Sequence, residues 1–221
     1  MADEKEKFLD NLRNAIFECE AELAVEAATQ FCELGENPLK ALDTMTAAIK
    51  EVGDGFGRGD LWLPDLVGAA DVMKAAIPIL DKEIKTKGMQ RESLGLVVAG
   101  TVYGDIHDMG KTILTTLLSA AGFEVEDLGV NVSAQQFIET IKKRNPDILA
   151  MSALLTTTIA EQGKVITALK ENNLRDKVKV MVGGAAVSAE FAEEIGADGY
   201  DATAAAAVEH AKSLLGKQIG G

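Results

Sequence analysis

Positive charge is what this sequence has least of relative to its opposite: 22 Lys and Arg stand against 35 Asp and Glu in 221 residues, a formal net charge of -13. Residues 1–90 and 91–221 are each net acidic. Neither half offers a basic face to phosphates, so nucleic acid and an anionic membrane surface are not expected partners. No apolar run approaches the roughly 20 uncharged residues that span a bilayer. The opening Met-Ala-Asp-Glu-Lys-Glu-Lys has no apolar signal-peptide core, which leads us to expect a cytoplasmic protein with no membrane attachment. Cysteine is also scarce. Cys19 and Cys32 have neither a CxxC spacing nor a neighbouring histidine. They are expected to be buried thiols within helices, and a disulfide is not expected in a reducing cytosol. Histidine occurs only twice.

What is present is an ordinary globular balance, 47% hydrophobic and 26% charged, over a length that fits one large or two small domains. The first 88 residues carry helical periodicity. Leu9, Leu12, Ile16, Leu23, Ala27 and Phe31 recur at three-, four- or sevenfold spacings, interrupted near 19–21, which predicts two packed helices. Gly35 closes the second. Asn37 and Pro38 read as an N-cap and first helical residue, placing Leu42, Met45, Ile49 and Val52 on one face. That helix is expected to stop in the glycine run Gly53, Gly55, Gly57 and Gly59, read as a flexible connection. A fourth helix follows Leu63 and Pro64, with Pro78 expected to kink it or end its first segment. Residues 82–92 lack an apolar period and read as a linker. Strand candidates at 94–100, 123–128, 147–152, 178–182 and 197–200 then alternate with helical stretches at 109–121, 133–144, 156–172, 188–195 and 203–215. This alternation predicts a parallel sheet covered by helices, with its ligand-facing loops at the carboxyl ends of the strands.

Between the first of those strands and the next helix lies the run Gly104, Asp105, Ile106, His107, Asp108, Met109, Gly110 and Lys111. A lone histidine is usually a turn residue capping a carbonyl. Here two flanking carboxylates and two glycines give it the composition of a ligand-holding loop. Residues 104–112 end Gly-Lys-Thr like a phosphate-binding loop, but the glycine spacing is one too long. Asp105 and Asp108 also put negative charge where phosphates would sit, so a nucleotide hydrolase is the weaker alternative. A metal ligand fits better: Asp105 can accept a hydrogen bond from one ring nitrogen of His107 and leave the other to a metal. One histidine cannot hold a bare ion. It can serve as axial ligand to a metal already chelated in a macrocycle, a haem or a corrinoid. The small residues and hydroxyls after the third, fourth and fifth strand candidates leave room for such a group.

The pattern Asp105, His107 and Gly110, then Ser152 and Leu154, then Gly183 and Gly184, resembles the Asp-x-His-x-x-Gly, Ser-x-Leu, Gly-Gly motif of cobalamin-binding methyl-carrier proteins. These include the cobalamin module of methionine synthase and the corrinoid proteins of methylamine, methanol and glycine betaine metabolism. Residues 52–64 are similar to that family's cap, although Trp62, Thr112 and Pro78 depart from its usual residues. The resemblance implies an α/β protein. Residues 1–88 would form a four-helix bundle cap, and residues 89–221 a flavodoxin-like or Rossmann-like cobalamin-binding domain on a five-stranded parallel sheet.

The resemblance further implies that the cofactor is cobalamin, in methylcob(III)alamin and cob(I)alamin forms, or a related corrinoid. His107 would be the lower ligand to cobalt, with Asp105 and Ser152 continuing a hydrogen-bond relay. Gly104, Ile106, Asp108, Gly110 and Leu154 would also be cofactor-binding. Thr156, Gly183, Gly184 and Ala204 would line the channel for the displaced nucleotide tail, and Phe56 and Leu63 would shield the upper face. The implied role is a methyl carrier more than an enzyme, with a substrate-specific methyltransferase, a second methyltransferase accepting the methyl group and a reductive activation protein as partners. A stand-alone corrinoid-sensing regulator is the alternative from the same cofactor class, though no DNA-binding segment is evident.

Overall fold

A computed structural model describes residues 2–89 and 93–216, which fall into two compact units, one of Met1–Glu92 with Ala120–Gly122 and one of Ser93–Ser119 with Phe123–Gly221.

The first unit is a bundle of four helices, α1 (Ala2–Glu18), α2 (Ala21–Glu33), α3 (Pro38–Arg58) and α4 (Leu63–Thr86). Its core takes Leu12, Ile16, Phe31, Met45 and Ile49 from the predicted stripes, all fully buried, and adds Leu66, which the periodicity did not single out; Leu9 and Leu23 are only half-buried. The starts follow local chemistry. Asn37 accepts a bond from the Leu39 N–H at 3.0 Å ahead of Pro38, and Asp65 accepts from the Trp62 N–H at 2.8 Å at the head of α4.

Three expectations fail here, and so does one alternative of a fourth, that Pro78 ends a helical segment. Gly53, Gly55 and Gly57 lie inside α3, and only Gly59, at φ +80, closes it, with Gly59 N–H bonding to Phe56 O and Asp60 N–H to Gly55 O. Gly55 has a packing reason to be small, since a Cβ there would lie 2.9 Å from Leu61 Cδ1. Pro78 neither ends nor divides α4. Burial of Met73, Ala76, Leu80 and Ile84 on either side of it offsets the cost of about 3 kcal/mol for an interior proline. The supposed linker is helical as far as Thr86, with Lys87 as C-cap, and its residues 90–92 lie outside the described ones. Cys19 is exposed rather than buried and sits between α1 and α2 at φ +58, while Cys32 is half-buried; both thiols are free. The Cys19 side chain rests on α4, where a Cβ at Gly68 would come within 2.3 Å of its sulfur.

The second unit alternates as expected: β1 (Leu96–Thr101), α5 (Met109–Ala120), β2 (Glu124–Asp127), α6 (Ala134–Arg144), β3 (Ile148–Ser152), α7 (Ile159–Glu171), β4 (Lys179–Gly183), α8 (Ala189–Ile195), β5 (Gly199–Tyr200) and α9 (Ala204–Leu214). The five strands form one parallel sheet in the order β2-β1-β3-β4-β5. Strand residues buried on both faces, such as Val97, Val98, Ile148 and Leu149, explain why these segments read as unbroken apolar runs. Register does the rest. Thr101 pairs with Ser152 and Ser152 with Gly183, so three strand ends stand abreast and the loops that follow them meet at one edge. The strand order reverses between β1 and β3, the place where open α/β sheets bind ligands.

Candidate functional site

The loop 102–108 leaves β1 at that reversal and is held by backbone and short side chains. Gly104, at φ +78, donates its N–H to Asn131 Oδ1 at 2.8 Å, Asn131 N–H bonds back to Asp105 O at 2.9 Å, and Thr101 Oγ1 donates to His107 O at 3.1 Å. At its far end Lys111, 4% exposed, forms an ion pair with Asp127 at the end of β2. A buried ammonium needs such a partner. Its commitment to Asp127 leaves the phosphate-loop alternative without its lysine.

Asp105 is the centre of the site. It is fully buried, and its carboxylate accepts from five donors. Oδ1 takes His107 Nδ1 at 2.7 Å and the His107 N–H at 3.0 Å. Oδ2 takes Thr158 Oγ1 at 2.6 Å, Leu154 N–H at 2.8 Å and, longer, Leu155 N–H at 3.4 Å. Burial alone would raise its pKa, but the bonds from Thr158, from the His107 backbone and ring and from Leu154 outweigh that and hold the carboxyl far below the usual carboxylate range. An ionised carboxylate can only accept, so the Nδ1 hydrogen points to Asp105 and Nε2 is the nitrogen left for a metal. The His107 side chain is 45% exposed, so that nitrogen can be approached.

The structure brings Asp105, His107 and Leu154 together and places the hydroxyl of Thr158, not that of Ser152, on the Asp105 carboxylate. Ser152 contributes its carbonyl, which accepts from Val102 N–H at 3.0 Å; the hydroxyl on Asp105 belongs to Thr158. Sequence reasoning missed it because Thr156, Thr157 and Thr158 are chemically alike. Only the turn before α7 decides that Thr158 is buried while the other two are exposed. The loop that carries His107 and the one that reaches its Asp105 through the Leu154 and Leu155 N–H groups leave Tyr103, Ile106, Met109, Leu154 and Leu155 exposed, an apolar collar in composition that suits a large flat ligand with an apolar rim. Asp108 is exposed, and its carbonyl starts α5 by accepting from Thr112 N–H at 2.7 Å; Gly110 has open space where a Cβ would be.

The second loop set adjoins it. Gly184, at φ +124, lies so close to Ala153 that a Cβ would come within 1.9 Å of its carbonyl oxygen, whereas Gly183 opens onto free space. Thr156 is exposed, and Ala204 opens α9 behind the N-cap Thr203, whose hydroxyl accepts from Ala206 N–H at 3.2 Å. Phe56 and Leu63 are half-buried within the helical unit. Among the described residues no three His, Cys, Asp or Glu side chains are gathered to hold a bare metal ion. One ring nitrogen, an apolar collar and a glycine cradle do fit a macrocycle-bound metal with a single open axial position.

Comparisons with known proteins agree with this chemistry. Residues 95–209 match the B12 binding domain family, and residues 8–81 match a second B12 binding domain model. The chain is 42% identical to trimethylamine corrinoid protein 2 of Methanosarcina mazei, over 96% of this chain and 97% of that protein. It is 46% identical to the dimethylamine corrinoid protein of Methanosarcina barkeri, over 96% and 99%. Among solved structures it is similar to the methanol:cobalamin methyltransferase complex of Methanosarcina barkeri, with TM-score 0.84, 30% identity and coverage of 96% of this chain and 81% of that one. With family models on both units and this identity along nearly its whole length, the chain belongs to the family of B12-binding corrinoid proteins.

Proposed function

We propose that this protein is a methyl carrier that takes a methyl group from a substrate-specific methyltransferase and delivers it to a second methyltransferase of the tetrahydrofolate or coenzyme M type. The observation that carries the reading is the 2.7 Å bond from His107 Nδ1 to a buried, ionised Asp105, which leaves Nε2 as the ligating atom. The bound corrinoid would supply cobalt chemistry that accepts and releases the methyl group; the chain supplies the axial ligand and its environment. Asp105 fixes the tautomer and orientation of His107 and strengthens it as a donor, and Thr158 and Leu154 hold Asp105 in turn.

Gly104, Ile106, Asp108, Gly110 and Leu154 are assigned to the corrin side, and Thr156, Gly183, Gly184 and Ala204 to the nucleotide tail. The helical unit, residues 1–88, is assigned the role of cap with Phe56 and Leu63 as shielding residues, and residues 89–221 that of cofactor-binding domain. The donor system we favour is a methylamine one, supported by relatives named for trimethylamine and dimethylamine at 42% and 46% identity. A reductive activation protein completes the set of partners, and the cytoplasm is the compartment; among the described residues no helix is long and apolar enough to cross a membrane.

The test is spectroscopic. Full-length protein loaded with cobalamin should display the absorption of a histidine-ligated, base-off cofactor, and His107→Ala should lose that signature while remaining folded. An unchanged spectrum in His107→Ala would refute the ligand assignment. Activity with methylamine methyltransferases set against a methanol methyltransferase tests the donor class; transfer from the methanol enzyme alone would overturn it.

A further inference from the structure

The helix α7 faces the sheet with the stripe Gln162, Val165, Ile166 and Leu169, all buried. Three of the four are apolar, as the spacing requires; the first, fully enclosed, is an amide. Gln162 Nε2 donates to Met151 O and to Gly183 O, each at 3.1 Å, while its Oε1 is buried without a hydrogen-bond partner. A buried orphan acceptor is costly, and an apolar side chain of similar volume would avoid it. The amide must therefore be explained by what its donor does.

The two carbonyls it bridges belong to the ends of β3 and β4. Gly183 O also accepts from Ala153 N–H at 3.0 Å, and just beyond that bond Gly184 meets Ala153 at a separation that admits no side chain. Gln162 thus ties together the strand ends from which the loop bearing Leu154 and Thr156 and the turn Gly183–Gly184 depart. It sits behind both and faces neither open space nor solvent, so it acts through them.

We propose that Gln162 is a positioning residue that sets the gap between these loops, and so tunes the protein for corrinoids that carry a nucleotide tail over those that lack one. This rests on the assignment of Gly183 and Gly184 to the tail. The probes are hydroxocobalamin and diaquocobinamide, which share the corrin ring and differ in the tail, each titrated into full-length protein by visible absorption. Parent protein should favour cobalamin. Gln162→Met should weaken cobalamin by roughly tenfold, the scale of one well-placed hydrogen bond, and weaken cobinamide severalfold less, since only the Leu154 loop and not the glycine turn serves the corrin side, with a similar melting temperature. Equal losses for both ligands would mean a general structural role, and no loss would mean no role; either overturns the proposal. Should Gln162→Met not fold, Gln162→Asn, which keeps an amide too short to reach both carbonyls, is judged by the same ratio.

Gly183→Ala separates this inference from the reading beneath it, since its Cβ would meet nothing in the protein. A selective loss of cobalamin there with none in Gln162→Met sinks the role of Gln162 alone. No selective loss in Gly183→Ala sinks the assignment of the tail.

Discussion

Replacing Asp105 by Asn is the most informative single change, because it keeps the shape of the side chain and removes its charge at the point where five donors converge. Asparagine offers one acceptor oxygen and one NH2 group. If the NH2 takes the place of Oδ2, the Thr158 hydroxyl can rotate to accept, but the Leu154 N–H, now 2.8 Å from an acceptor, cannot. If it takes the place of Oδ1, the His107 ring can change tautomer, but the His107 N–H cannot. Either way at least one part-buried backbone donor is orphaned, two in the first case once Leu155 is included, at up to about 1–3 kcal/mol each, and the remaining bonds lose a charged acceptor, each worth about 1.5–3 kcal/mol when intact. A net destabilisation of about 3–5 kcal/mol follows, which for a unit of this size lowers the melting temperature by roughly 10 °C or more.

The assay is thermal unfolding of cofactor-free protein, parent against Asp105→Asn, as a function of pH. The folded-state pKa of Asp105 is depressed, so its stabilisation is fully present above the unfolded value of about 4 and is lost as pH falls through the folded value. The gap between the two proteins should be widest near neutrality and narrow in acid. Curves that coincide at pH 7, or a gap that widens as pH falls, would refute the account of Asp105 as a charged hub.

Two further outcomes follow from the same geometry. Thr158→Val removes the 2.6 Å bond to Asp105 and should lower the share of His107-ligated cofactor at neutral pH, read from the visible spectrum, whereas Ser152→Ala should not; the reverse pattern would restore Ser152 to the relay. Gly184→Ala places a Cβ on Ala153 O at a φ of +124, and the clash and backbone strain together should cost at least about 3 kcal/mol in urea unfolding; a parent-like midpoint would show that this turn is not tightly held.

Much of this architecture was legible before any coordinates. The five strand candidates and five helices of the second unit each lie within a few residues of their observed places, because buried parallel strands are continuous apolar runs and their helices carry a 3.6-residue period. In the helical unit the apolar stripes and the Asn37-Pro38 start were equally plain. The errors fall where a local rule met tertiary packing. Gly53, Gly55 and Gly57 favour a loop locally but sit in α3, where Gly55 makes room for Leu61; Pro78 is carried by the core contacts of α4; Cys19 occupies the break between helices.

The sequence by itself determined which residue types occupy the loops: a histidine two positions after an aspartate, hydroxyls after the third strand, paired glycines after the fourth. Spacing along the chain is enough for that, since an α/β alternation puts each such loop at a strand end. Tertiary structure alone decided which of these groups touch. Sheet register placed Thr101, Ser152 and Gly183 abreast, and the turn before α7 chose Thr158 over Ser152 for Asp105. The packing of α7 buried Gln162 behind the glycine turn. Hydrogen bonds between residues some fifty positions apart depend on a few tenths of an ångström in three dimensions, and no periodicity in one dimension encodes that.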